Sequence, residues 1–320
     1  MKKLLVVALA AIGMAACVNE KVEMPKSQIT FAGASIDNVV RSADPSFKPN
    51  ASNLNQFNVW AFMDNTSGQV FVNELVSKVN NVWTYTNIQY WAPNHTYYFA
   101  ALAGNANATV DTTNANTNGL GVVTFENMAG DEDLVYAAQT VTTPSLEVLS
   151  STTMAPVELH FNHLLSKVKF TFKNGFATNN TTVLVEDITM TAPKKASIDL
   201  AVENWWDGDD WVLDTTAGTL DLQFGDVDVM TIGQSKDCTT ECLTIPVGSP
   251  YSYDIAFTIK VFVGDVLAME VDKNVTISSV AFEMGKAYNF TAEISPETLD
   301  LKQIDFTVSV EGWKNTNVAL

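Results

Sequence analysis

The chain has 320 residues, with 36 Asp and Glu against 18 Lys and Arg, a formal charge of -18 at pH 7 and a hydrophobic fraction of 47%. That much apolar material excludes a disordered stalk and supplies core for two domains of about 100–200 residues each, or for one large sandwich. So acidic a chain, without a basic patch interleaved with aromatics, is not a nucleic-acid binder and is repelled by anionic membrane surfaces.

Residues 1–17 read as an export signal. Lys2 and Lys3 form a positive start, residues 4–12 an apolar stretch, and Met14-Ala15-Ala16 a small-residue approach to Cys17. The apolar stretch is well short of the ~20 residues that a membrane-spanning helix needs. Ending on a cysteine, the segment resembles a bacterial lipoprotein signal. That resemblance implies removal of residues 1–16 and a lipid on Cys17 that ties the protein to the outer membrane.

Residues 28–36 begin as a strand, with Ile29 and Phe31 alternating against Gln28 and Thr30. Arg41 is the sole arginine of the chain and is followed by Ser42, Pro45 and Pro49 in a polar, extended stretch. It reads either as the one target of an arginine-specific protease or as an ordinary surface arginine. Residues 57–63, 64–68 and 69–72 are strand, turn and strand of a hairpin. Residues 97–102 form another strand, and the Asn/Thr/Gly tract at 104–121 cannot bury a face, so an exposed loop is expected there.

The Ser/Thr/Pro-rich run at 141–156 is the expected domain junction and contains a short helix at 145–151. Alternation returns at 158–172, and further strands are expected at 183–190, 253–263, 267–271, 288–294 and 304–310. No long segment combines 3.6 periodicity with caps at both ends, and no repeat of fixed period is visible. The chain therefore reads as all-β, with residues 42–156 as an N-terminal and 157–320 as a C-terminal domain.

Three clusters carry candidate chemistry. Cys238 and Cys242 either close a small loop as a disulfide, as an exported chain favours, or remain free thiols. With only His95, His160 and His163 to complete a tetrahedral set, no zinc site is expected. The run from Trp205 through Trp206 to Trp211 is either a β-turn between strands with buried tryptophans or a glycan-binding loop whose rings stack on sugars. His160 and His163, three apart, point to opposite faces of a strand and share no site. No nucleophile elbow, metalloprotease helix or phosphate loop occurs, so no catalytic residue, metal or cofactor is assigned and no enzyme is expected.

Other segments follow one another in an ordered series: Trp83, Tyr90-Trp91-Ala92-Pro93, Tyr97-Tyr98-Phe99-Ala100-Ala101, Asp133-Leu134-Val135-Tyr136-Ala137, and then residues 157–170, 282–290 and 304–313. Together they resemble the fimbrillin-like proteins of Bacteroidales, the type V pilins, from about residue 57 to residue 313. The resemblance implies two β-sandwich domains of transthyretin-like topology and a structural or accessory subunit of cell-surface fimbriae that supports adhesion. It implies a lipidated precursor at the outer membrane that a trypsin-like protease cuts after Arg41. Residues 17–41 are then a propeptide with a removable first strand, Ser42 is the new N-terminus, and the vacated groove accepts a strand from another subunit in a homo- or hetero-polymer.

Ile304, Phe306, Val308 and Val310 alternate with polar residues and suit either a donated strand laid into such a groove or an edge strand of the C-terminal domain. The alternative is a monomeric outer-membrane surface lipoprotein that holds a glycan or a host protein through loops such as 205–211.

Overall fold

A computed structural model describes residues 27–37, 54–64, 69–104, 106–115, 119–201, 211–248, 250–300 and 304–313. In chain order, its first elements are β1 (Phe31–Asp37), β2 (Gln56–Met63), β3 (Gln69–Val79), β4 (Val82–Thr84), β5 (Thr96–Ala103), β6 (Ala108–Asp111), β7 (Val122–Glu126), β8 (Val135–Thr142) and the short helix α1 (Leu146–Ser151). There follow β9 (Val157–His163), β10 (Ser166–Asn174), β11 (Thr181–Pro193), β12 (Lys195–Asp199), β13 (Val212–Leu213), β14 (Thr219–Gln223), β15 (Val227–Met230), β16 (Ser235–Asp237) and β17 (Cys242–Thr244). The last elements are β18 (Tyr251–Val263), β19 (Val266–Val280), β20 (Lys286–Ile294), helix α2 (Pro296–Asp300) and β21 (Thr307–Gly312).

Four sheets result. The first has the order β1-β9-β8-β5-β2-β3-β4 and the second β13-β12-β7-β6. The third runs β16-β10-β20-β21, with β17 also on β10, and the fourth runs β14-β11-β18-β19, with β15 also on β11. The hairpin expected at 57–72 forms, with Phe57 opposite Val76, and β3 continues beyond it to Val79.

Both faces of the central strands of the first sheet are covered, which explains their sequences. In β5, Tyr97, Phe99, Ala101 and Ala103 face a first core, while Ala100 and Leu102 face a second core shared with the β12–β7 sheet. Trp60 and Tyr136 point the same way as Leu102, whereas Phe57, Val59 and Val135 point into the first core. Covering both faces turns the alternation of an exposed sheet into near-continuous apolar runs. A third core lies between the third and fourth sheets, built on Phe170, Phe172, Ile255, Phe257 and Phe290.

One expectation is corrected, and the sheets add an arrangement that the sequence does not display. The tract at 104–121 contains β6, which pairs with β7 and sets Ala108 and Val110 against the second core. The sheets also do not divide at 156/157: β9 belongs to the first sheet, and β12 and β13 extend β7 in the second. The reason is packing. Leu164 and Leu165 are both fully buried, so the chain crosses from β9 into β10 without surfacing.

Backbone bonds staple this crossing. Leu164 N–H donates to Leu134 O at 2.9 Å, Gly285 N–H to Leu165 O at 3.0 Å, and Leu243 N–H to Gly130 O at 2.6 Å. Buried Asn127 donates from Nδ2 to Leu243 O at 2.9 Å and accepts the Gly130 N–H at 2.8 Å. Gly130 sits at φ +77°, and an added Cβ would stand 2.6 Å from Leu222 Cδ2, so glycine is required there. Asn127→Ala orphans a buried donor and is expected to cost about 2–4 kcal/mol, measured by urea unfolding. A loss below about 0.5 kcal/mol, the range of an uninvolved surface site, would show that the staple does not hold the crossing.

Candidate strand-acceptor site

The first described residues pair with β9 of the first sheet and with the segment that follows β4. Residues 27–29 run antiparallel to 89–91, with Gln28 bridged to Tyr90, Ile29 N–H donating to Gln89 O at 2.9 Å, and Trp91 N–H donating to Ser27 O at 2.9 Å. Val157 N–H then donates to Thr30 O at 2.7 Å, and β1 continues parallel to β9 from Phe31 opposite Val157 to Asp37 opposite Asn162. The segment beyond β4 and the strand β9 are thus joined by one short stretch of chain.

Alternation decides what that stretch buries. Gln28 and Thr30 are exposed, while Ile29 and Phe31 are 0% and 7% exposed. The Phe31 ring lies 5.6, 5.9, 5.8 and 6.1 Å from Phe57, Phe71, Tyr85 and Phe99. Three of these contacts are edge-on, an arrangement that ring quadrupoles favour. Tyr85 also donates its hydroxyl to Ile29 O at 2.6 Å. Burial pushes its phenol above the usual range, so it stays a donor at neutral pH.

The same arrangement recurs at the other end of the chain. Ile304 is 1% exposed, and Phe306 lies 5.6, 5.9, 6.2 and 6.5 Å from Phe170, Phe172, Phe257 and Phe290, every contact edge-on. The sequence carries the reason: Gln28-Ile29-Thr30-Phe31 and Gln303-Ile304-Asp305-Phe306 share the pattern Gln-Ile-x-Phe. A search for repeats of fixed period misses it, because the pattern occurs once near each end.

The four expected donor residues do not share one buried face. Ile304 and Phe306 fill the third core, whereas Val308 and Val310, opposite Phe290 and Tyr288, remain 46% and 51% exposed at the sheet's edge. Here β21 is an edge strand of its own chain, antiparallel to β20. Beyond it, Trp313 is fully buried and stacks on His163 at 3.8 Å and 10°. His163 Nδ1 lies 2.7 Å from Asp133 Oδ2. Lys167 Nζ lies 5.6 Å from the indole and 2.9 Å from Glu241 Oε2. A buried carboxylate and a nearly buried ammonium are tolerated here because each has a partner.

The remaining expected residues are scattered. Of the two alternatives for Cys238 and Cys242 the structure has the free thiols, both buried: Cys238 Sγ donates to Thr240 O at 3.1 Å and Cys242 Sγ to Gln223 O at 3.2 Å. Burial pushes both thiols up, Cys242 to about 12. Trp211 is 7% exposed in the second core and donates Nε1–H to Leu164 O at 3.1 Å, so its ring is not available to stack on a sugar. His160 is exposed and His163 buried, on opposite faces as the spacing predicts. Cys17, Arg41, Ser42, Trp205 and Trp206 lie outside the described residues. Among the described residues no group of three His, Cys, Asp or Glu side chains is arranged to hold a metal, and no helix is long and apolar enough to cross a membrane.

Two measurements follow from this geometry. Phe31→Ala in the full chain empties the centre of an aromatic cluster and is expected to lower unfolding free energy by about 3–5 kcal/mol, against under about 0.5 kcal/mol for exposed Thr30→Ala. Equal effects from the two in urea unfolding would contradict the packing argument. The Cys242 thiol, with its thiolate suppressed by burial, is expected to alkylate about 1000-fold slower at pH 8 than an open thiol. Rapid labelling of the native protein, followed by mass spectrometry, would refute that.

The sequence profile of the fimbrillin-like family matches residues 43–313. No curated protein sequence matches the chain. Among solved structures, a fimbrial protein from Bacteroides vulgatus superposes with a TM-score of 0.60 at 17% identity, over 89% of this chain and 99% of that one. Candidate cell adhesion proteins from Parabacteroides distasonis and Bacteroides ovatus superpose with TM-scores of 0.54 and 0.53 at 10% and 14% identity, over 91% of this chain and 97% and 99% of theirs. At such identities the likeness is one of all-β fold. The profile match covers most of the sequence and is the stronger finding: the chain belongs to the fimbrillin-like family.

Proposed function

We propose that this chain is a structural or accessory subunit of a cell-surface fimbria, exported as a lipoprotein precursor, cut after Arg41 and completed by a strand from another subunit. The observation that carries this reading is the place of residues 27–37. They pair with β9 and with the segment that follows β4 and fill the first core with Ile29 and Phe31, and the sole arginine follows them before β2 begins. After a cut at Arg41 that stretch is held only by non-covalent contacts. A strand with matching side chains offers the same backbone bonds and the same burial, about 1.5–3 kcal/mol for each large apolar side chain.

The cut has a second consequence. Cys17 also precedes Arg41, so the lipid leaves with the first strand. The precursor is then held at the outer membrane only until its groove opens, and the subunit passes to the surface fimbria, where it supports adhesion. Membership of the fimbrillin-like family favours this over a monomeric surface lipoprotein that binds glycan or host protein, and the burial of Trp211 removes one of three rings from the binding loop that the alternative needs.

The test is the N-terminus of the mature protein on cells. Mass spectrometry is expected to find Ser42 on the assembled form, and Arg41→Ala to leave a lipidated monomer. Acylated Cys17 on every wild-type copy, or undiminished SDS-resistant polymer from the variant, would overturn the proposal.

A further inference from the structure

Resting on the strand-exchange reading above, we infer that this subunit is an acceptor whose groove is filled by a chain of a different kind, through a strand that is spare in its owner's fold. The argument is a balance of aromatic sockets and the rings that fill them. The chain has two such sockets: Phe57, Phe71, Tyr85 and Phe99 around Phe31, and Phe170, Phe172, Phe257 and Phe290 around Phe306. Loss of residues 27–37 leaves two sockets and one filling ring.

Transfer of β21 from one copy to the next fills a first socket and empties a second. The count of filled sockets does not change, so burial supplies no driving force. The transfer also has costs. It strips β20 of its partner from Thr291 to Lys286, and it draws Trp313 out of its stack on His163, leaving the buried Asp133–His163 pair uncovered. Copies cut after Arg41 have lost five basic and three acidic side chains, carry a charge of -20 and repel one another, a penalty that a less acidic partner avoids. Every described strand of this chain is hydrogen-bonded into one of its four sheets, and none is spare.

A strand not already used by its owner fills the empty socket without vacating another. The groove states what that strand must look like. It runs antiparallel to residues 89–91 and then parallel to β9, with a large aliphatic residue at the place of Ile29, an outward residue at that of Thr30, and an aromatic at that of Phe31.

The test uses the full chain cut at Arg41 with an arginine-specific protease and a fluorescent peptide copying residues 27–37. The cut protein is expected to take up the peptide, to bind a Phe31→Ala version at least tenfold more weakly, and to remain monomeric by light scattering when alone. SDS-resistant homopolymer from the cut protein alone would overturn the inference while leaving strand exchange intact. Val310→Lys, at a half-exposed position that tolerates change, then reports whether β21 is the donated strand. Failure of the cut protein to take up either peptide would overturn strand exchange itself, and the acceptor role with it. Equal uptake of both peptides would remove the aromatic requirement and with it the socket balance.

Discussion

One short piece of chain ties strand β9 of the first sheet to the segment that follows β4, and in pairing with both it satisfies backbone groups that would otherwise stand open. Ser27 to Ile29 satisfy the segment beyond β4, and Phe31 to Asp37 satisfy β9. The first core depends on that closure, because Phe31 is the ring that Phe57, Phe71, Tyr85 and Phe99 have in common. The dependence extends further. β9, the parallel partner of β1, runs through buried Leu164 and Leu165 into β10, the strand on which the third sheet is built.

Two segments, one near each end of the chain, solve one packing problem in one way. Near each end a Gln-Ile-x-Phe segment sends its isoleucine and phenylalanine inward, where four rings receive the phenylalanine. Phe306 is fixed from behind by β21 on β20 and by Trp313 against His163. Phe31 is held in a comparable way by β1 on β9, and the sole arginine lies between it and β2. What separates the two segments is therefore neither packing nor pairing but the arginine that follows the first.

Much of the strand pattern was legible because alternation is a local property. The 57–72 hairpin, the strand around Ile29 and Phe31, and the strands at 97–102, 183–190 and 253–263 all have their expected character. The errors share a cause. β6 was hidden because Ala108 and Val110 are small and rest on a layer contributed partly by β12, far away in sequence. Val308 and Val310 look identical in pattern to Ile304 and Phe306, yet the facing sheet does not reach them. Nothing local distinguishes an inward position that is covered from one that is not.

The sequence by itself determined the fold class, the single arginine and the apolar rhythm of both end segments, since each follows from residue identity and near-neighbour spacing. Tertiary structure alone decided that the division of the sheets does not follow the Pro-punctuated run at 141–156, that Trp211 is a core residue, that Cys238 and Cys242 each find a backbone carbonyl, and that the two Gln-Ile-x-Phe segments occupy equivalent sockets. These outcomes rest on which distant layer covers a given face, and that is settled only when sheets formed from separate parts of the chain close on one another.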